Sequence, residues 1–430
     1  AQGSRHLPPW LILDVRQKQS MKTKCPKCSA VSDVEDHFVG ASADCPSCNS
    51  PFVITALAPA KLRLAKDEEK AQNKNIFQEI GDFFSSFCGL KPLTDLKFSH
   101  LFSGIFAHKT REDHENLWRA GHDVNSSPWP RPWAWARIGI GLLFIAILAC
   151  WVLAKNPTNL NALPAVLFLG AFAVPLTCLI LIYELDASRG VGLYEIAKGV
   201  LAGGAASVGL SLILYSITGL HETFLGATSA GIIEEIAKVA IAVALFGSLK
   251  APKVSHGLVL GAAVGAGFAG FETAGYMLNA LILEGGIQGR IDWLGGQRVL
   301  IEGFDYDGML AVMLIRGILS PFCHVVWSAV AVGAAWHCAN GRPTVSFSIF
   351  LQSFFLKPLL LVIGLHMLWN SGLLFSIPSN IPKNIATLRI WFLIWALSFY
   401  GSWCLMLLYC QHGIRETLTG LRSESERNEK

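Results

Sequence analysis

Gly231-Ile232-Ile233-Glu234-Glu235-Ile236-Ala237-Lys238 places two adjacent carboxylates and an ammonium in a run that is otherwise apolar from about Phe224 to Phe246. A charge at bilayer depth costs about 3 kcal/mol on insertion scales, so an ionisable residue there marks function by default. On a helix Glu234 and Lys238 lie one turn apart on one face, and Glu235 points about 100° round. The plain alternative is a Glu234–Lys238 ion pair that only locks helices together.

The neighbouring apolar runs argue against that alternative, because each carries polar chemistry of its own. The next run reads Gly267-Phe268-Ala269-Gly270-Phe271-Glu272-Thr273-Ala274-Gly275-Tyr276, with Phe268, Glu272 and Tyr276 on one face and glycines that let another backbone approach. The run after it carries Arg316 and, two turns on, His324, with Trp327 and Ser328 nearby; the following one carries His366 and, one turn on, Asn370. Taken singly, each of these has a packing explanation, a helix-bridging hydrogen bond. Together they put an acid or an imidazole in each of four consecutive runs. Carboxylate and imidazole are the ligands a hard or borderline metal takes, and a Glu beside a bound water is the general base that hydrolysis needs.

A second constellation lies near the start of the chain. Cys25-Pro26-Lys27-Cys28, sixteen residues, then Cys45-Pro46-Ser47-Cys48 has the spacing of a four-cysteine zinc site, with two tight knuckles presenting thiolates to one ion. So short a segment cannot build its own core, and the metal supplies most of its folding energy. The rival reading, a pair of redox CxxC motifs, lacks the surrounding βαβ pattern.

Composition fixes the solvent in which these groups act. The 430 residues are 52% hydrophobic and 15% charged, with mean hydropathy +0.44, the profile of a polytopic membrane protein. A net charge of +4 without a basic stripe gives no sign of nucleic acid. The eleven cysteines read as metal ligands and core thiols, since four hold the ribbon spacing and most others lie in apolar runs.

Apolar runs at about 138–154, 160–183, 196–219, 224–247, 256–283, 308–336, 346–375 and 388–410 predict about eight transmembrane helices. Arg131, Arg137, Arg189, Lys198, Lys250, Lys253, Arg342, Arg415 and Arg422 fall on one side. By the positive-inside rule that side, with both termini and the ribbon, is cytoplasmic, and the loop from Glu284 to Asp307 lies opposite. Five boundaries follow: an N-terminal extension over 1–20, which precedes the first methionine, Met21; a zinc ribbon over 21–55; a polar and amphipathic linker over 56–132; a membrane domain over 133–411; and a charged, frayed tail over 412–430. In the linker Ile76, Phe77, Ile80, Phe83, Phe84 and Phe87 mark an amphipathic helix, with a weaker set at Leu101, Phe102, Ile105 and Phe106. Either the membrane surface or the membrane domain is its partner.

From about Ile182 to Leu374 the chain resembles the PrsW-type intramembrane proteases, kin to the CAAX prenyl endopeptidases and to the Aph subunit of gamma-secretase. The resemblance begins at Tyr183-Glu184-Leu185-Asp186 and rests on Glu234-Glu235-x-x-Lys238, Phe268-x-x-x-Glu272, the single His324 and His366-x-x-x-Asn370. It implies an all-α fold with a four-helix catalytic core, and hydrolysis of a peptide bond of a membrane-anchored protein or peptide. In bacteria that would be regulatory proteolysis of an anti-sigma-type factor at the inner membrane. By position, Glu234 activates water, with Glu235 as its close alternative and Lys238 holding a Glu ionised. His324, His366 and Glu272 hold the water or a metal, zinc or another divalent ion, and Asn370 is an oxyanion donor. The chemistry is metallo- or glutamate-dependent. The ribbon lies outside the family's core pattern, as an added module that binds a cytoplasmic protein. Set against this are a non-catalytic scaffold or sensor built on the same helix cluster, and a proton-coupled transporter, which lacks the paired broken helices such proteins show.

Overall fold

The computed structural model describes residues 20–28, 31–35, 42–53, 76–93, 99–102, 104–108, 110–111, 115, 133–156, 160–186, 190–249, 253–284, 287–288, 300–301, 305–319, 323–339, 344–371 and 385–428. The extension over 1–19, the segment 116–132 with Arg131, most of the loop between Glu284 and Asp307, and Arg189, Lys250 and Arg342 lie outside them. The chain divides into two units, Ala1–Lys74 and Asn75–Lys430.

In the first unit, strand β1 (Ser20–Lys24) pairs antiparallel with β2 (Val31–Glu35), and β3 (Ser42–Asp44) with β4 (Pro51–Val53). Each hairpin carries one CxxC knuckle, after β1 and between β3 and β4. The second knuckle closes with Cys45 N–H donating to Ser50 O and Asn49 N–H to Cys45 O, and Asn49 takes φ of 50°. Asparagine is one of the few residues that tolerates the left-handed region.

The second unit is helical: α1 (Ile76–Cys88), α2 (Ala134–Lys155), α3 (Leu163–Leu185), α4 (Leu193–Thr218), α5 (Ala230–Phe246), α6 (Val254–Asn279), α7 (Tyr306–Leu319), α8 (His324–Cys338), α9 (Ser353–Asn370) and α10 (Ile385–Asn428). Among the described residues six helices are long and apolar enough to span a bilayer, namely α2, α3, α4, α6 with its π-turn extension to Ile282, α9 and the first part of α10. They correspond to six of the eight expected runs. The other two differ. Residues 224–229 form short turns, so α5 has 17 residues, a rise of about 25 Å. The run 308–336 is two helices, α7 ending at Leu319 and α8 starting at His324, so Arg316 and His324 sit on separate elements. Residues 320–322 between them lie outside the described residues.

α6 is the axis of the bundle, buried almost continuously from Val254 to Gly270. Every fourth residue of its α8-facing side is glycine. A methyl on Gly257 would meet Trp336 Cβ at 2.7 Å, one on Gly261 would meet Val332 Cβ at 2.7 Å, and one on Gly265 would meet Ser328 Cβ at 2.8 Å. This spacing lets two backbones touch, which is how helices associate where lipid removes the hydrophobic drive. On the other side of α6, Gly267 and Gly204 face each other across the α4 contact, just after a π turn at Gly199–Gly203.

The amphipathic helix expected in the linker is α1, and it docks on the membrane domain. Phe84 is fully buried beside Gly401, Gly81 faces Cys404, and the Phe77 ring lies 4.8 Å from Tyr400. Phe83 stays exposed on its outer side. The weaker set docks too: Leu101 and Ile105 are buried, Trp135 Nε1 donates to Leu101 O at 3.0 Å, and Arg137 donates to Ile105 O and Ala107 O. The backbone after Gln411, expected to fray, continues α10 to Asn428.

Glu184, where the family resemblance begins, has a structural task. Its buried carboxylate accepts from the backbone N–H of Trp133 (3.2 Å), Ala134 (2.8 Å) and Trp135 (3.1 Å). These are orphan donors at the start of α2, a helix without a capping side chain of its own.

Candidate active site

α5 and α8 are short helices around the site, and their N-terminal ends come together, with Lys238 of α5 3.2 Å from His324 of α8. Glu234 and Glu235 follow the first turn of α5, and His324 opens α8. α9 brings His366 and, at its last residue, Asn370; α6 brings Phe268, Glu272 and Tyr276; α7 brings Arg316. α9 reaches α5 through Gly231, where a methyl would meet Met367 Cγ at 2.7 Å and Ile363 O at 2.8 Å. The sequence-predicted residues therefore converge, and Glu234, Glu235, Lys238, His324 and His366 are all buried.

Their pairing differs from the one-turn reading in one respect. Lys238 Nζ lies 2.5 Å from Glu235 Oε1, not paired with Glu234, and 3.2 Å from His324 Nδ1, with its charge 4.7 Å from the Phe268 ring. The i,i+3 and i,i+4 partners are both within a lysine's reach. The choice is made by other helices, because His366 Nδ1 also bonds Glu235 Oε1, at 2.8 Å. Glu235 thus sits between a cation and an imidazole with neither side chain exposed.

That contact orients His366. With Nδ1–H donated to a carboxylate, Nε2 presents its lone pair, and it lies 3.7 Å from Glu234 Oε2. The Trp327 ring stacks 4.8 Å from His366, and its Nε1 is anchored at 3.0 Å to Ser402 Oγ on α10. Glu234 Oε2 is buried and without a hydrogen-bond partner among the described residues. Glu234, His324 and His366 each offer a ligand atom within 4.8 Å of the others. Glu272, expected beside the histidines, contacts His324 Nε2 at 3.2 Å but is tied to Arg316 Nη2 at 2.6 Å, with the Arg316 guanidinium stacked 4.1 Å over Tyr276.

A cavity of about 550 Å³ opens onto this centre. Glu234, Glu272, Tyr276, Arg316 and Asn370 line it, with Leu212 and Phe268 among the apolar walls. Asn370 Nδ2 donates to Ala227 O at 3.3 Å, so its amide faces the turn before α5. Sequence reasoning missed Tyr215, whose hydroxyl donates to Glu234 Oε1 at 3.2 Å. A tyrosine in an apolar span is unremarkable by itself; the available signal was a phenol one helix before a buried acid.

The four cysteines form a separate centre in the first unit. Cys25 Sγ lies 3.8 Å from Cys48 Sγ, Cys28 Sγ lies 3.6 Å from Cys45 Sγ, and all four are mutually within 4.8 Å. All eleven cysteines are unbridged. Hydrogen bonds from Ser50 bring the Cys48 thiol down to about 6, and backbone donation from Cys28 lowers Cys25. Both effects favour the thiolate, the form a metal binds.

Buried carboxylates and imidazoles on several apolar helices, beside an open cavity, make up a polar centre within the membrane domain that could hold water or a metal. The chain belongs to the PrsW family of intramembrane metalloproteases, whose family model matches residues 159–399, more than half of its length. The match contains every residue of the membrane centre and stops short of the cysteine cluster. No curated protein and no solved structure matches the chain. It is therefore an integral membrane protein and a PrsW-like protease, as the motifs implied.

Proposed function

We propose that Glu234 is the residue that takes the proton from the attacking water, and that His324 and His366 hold that water in place. The observation that carries this reading is Glu234 Oε2, a buried oxygen with no hydrogen-bond partner among the described residues, facing His366 Nε2 and belonging to a side chain on the cavity wall.

The two imidazoles, with the Glu272 carboxylate beside His324, fit a divalent metal of zinc's preferences, and Glu234 Oε2, close to both rings, stays free to act on the water. A metal held by His324 and His366 beside Glu272 would polarise the scissile carbonyl and make water acidic, with Glu234 left to take the proton. The chain's own residues do the rest. Water's oxygen bonds to the peptide carbonyl carbon as its proton passes to Glu234 Oε2. The C–N bond then breaks, and Glu234 returns the proton to the leaving nitrogen. Asn370, on the cavity wall, donates its amide hydrogen to the oxygen that gains charge. Glu235 fixes the His366 ring, and Lys238 keeps Glu235 ionised. Glu272, bound to Arg316, borders the site through His324 and supports that ring.

The substrate is a membrane-anchored protein of the anti-sigma type in a bacterial inner membrane, with both termini of the protease in the cytoplasm. Support comes from the family and from the basic residues that collect on one side of the spans. The cysteine cluster holds structural zinc: a tetrahedron with Zn–S of about 2.3 Å has edges of about 3.8 Å, and the sulfur separations are 3.6 and 3.8 Å. Residues 21–55 then form a ribbon that binds a cytoplasmic protein, joined by a linker to a protease domain over 133–411 and a tail from 412.

Elemental analysis tests the two metal assignments together. The full-length protein is expected to hold two zinc equivalents, Cys25→Ser with Cys45→Ser one, and the same variant with His324→Ala none. A single equivalent in the full-length protein, lost entirely with the cysteines, would refute the membrane metal.

A further inference from the structure

The two oxygens of Glu234 have different surroundings. Oε1 accepts a hydrogen bond from the Tyr215 hydroxyl at 3.2 Å, whereas Oε2 is buried without a hydrogen-bond partner among the described residues, 3.7 Å from His366 Nε2. The terminal torsion of a glutamate has a broad, roughly two-fold profile, so a carboxylate bonded at neither oxygen exchanges them by a half turn. A donor fixed on one oxygen removes that freedom.

Tyr215 is built to be such a donor. It lies on α4, whose Gly204 meets Gly267 of α6, so the phenol and Glu272 are placed by the same backbone contact. Its ring stands edge-on to His221, with centroids 5.9 Å apart, and lines the cavity. Ser211, one turn earlier on the same wall, donates its hydroxyl to Ser207 O in its own helix. A phenol also brings a donor to the acid without adding charge.

We infer that Tyr215 is a positioning residue for peptide hydrolysis: by holding Glu234 Oε1 it presents Oε2 alone to the two histidines. The inference rests on the reading of Glu234 as proton acceptor. It assigns Tyr215 no proton transfer of its own.

Tyr215→Phe deletes one oxygen and keeps the ring on His221 and on the cavity wall. Full-length protein labelled with 13C-glutamate in nanodiscs gives an isotope-edited infrared spectrum, in which the Glu234 band is the one missing from Glu234→Gln. That band is expected to move in Tyr215→Phe. Cleavage of a quenched fluorescent single-span peptide is expected to lose about tenfold or more in kcat, with KM and Tm unchanged. A tyrosine that only packs would lower Tm and leave the band in place. An unmoved band, or an unchanged kcat beside an inactive Glu234→Gln, overturns the role of Tyr215 alone. Wild-type turnover by Glu234→Gln overturns the reading of Glu234 and this inference with it.

Discussion

Gly265 offers the sharpest test of how the fold holds the site. A methyl there would lie 2.8 Å from both Ser328 Cβ and Ser328 Oγ and would run into the His324 carbonyl. Carbon atoms settle at about 3.5–4.0 Å, so Gly265→Ala requires the first turn of α8 to withdraw by about 0.7–1.2 Å. His324 is the first residue of that turn and contacts Lys238 and Glu272 at 3.2 Å each, with no slack for such a shift. Overpacking of this kind costs about 1–3 kcal/mol of stability. A catalytic group displaced by about 1 Å loses on the order of 100-fold in rate. Both effects are expected in Gly265→Ala, read by peptide cleavage in nanodiscs and by thermal denaturation. Gly209→Ala is the control, because a methyl at Gly209 meets nothing within 4 Å. It is expected to cleave at the wild-type rate and to be as stable or slightly more so, by about 0.5–1 kcal/mol. Gly265→Ala with wild-type rate and wild-type Tm would refute the account of the α6–α8 contact.

Other residues give independent tests. Glu184→Ala leaves three backbone donors of α2 without their carboxylate; bonds of this charge-assisted type are worth about 1.5–3 kcal/mol, so Tm should fall while KM for the peptide stays the same. The Cys48 thiol is brought to about 6 by Ser50, so the thiolate prevails above that pH and is lost as pH falls through it. A chelator titration should show metal leaving the cysteine cluster as pH drops, and Ser50→Ala should move the release to higher pH; an unmoved midpoint counts against the assignment. Treating the Cys25→Ser, Cys45→Ser variant with 1,10-phenanthroline removes the ribbon metal as a cause, and cleavage is still expected to stop. Persistent cleavage would leave Glu234 acting on water without a metal.

The membrane centre was largely legible in the sequence because charges in apolar runs are costly enough to stand out. Glu234, Glu235, Lys238, Glu272, His324 and His366 were all visible on that ground, and they converge. What one helix at a time could not reveal was the partner of each. Lys238 takes Glu235 because His366 and His324 arrive from α9 and α8, and no periodicity within α5 contains that information. Hydropathy also merged α7 and α8, since it averages over the whole apolar run 308–336 and carries no mark of where one helix ends and the next begins. Tyr215 stayed hidden because its chemistry depends on an acid 19 residues away. The CxxC pairs were fully legible, as their spacing alone determines which four thiols can meet.

The central claim is that Glu234 carries peptide hydrolysis inside the membrane. Wild type and Glu234→Gln, reconstituted in the same nanodiscs with a quenched single-span peptide in 18O-water, test it most directly, with products read by mass spectrometry. The account predicts cleavage by the wild type, one 18O in the new carboxyl terminus, and no product from a Glu234→Gln protein of unchanged Tm. Product from Glu234→Gln at the wild-type rate would contradict it.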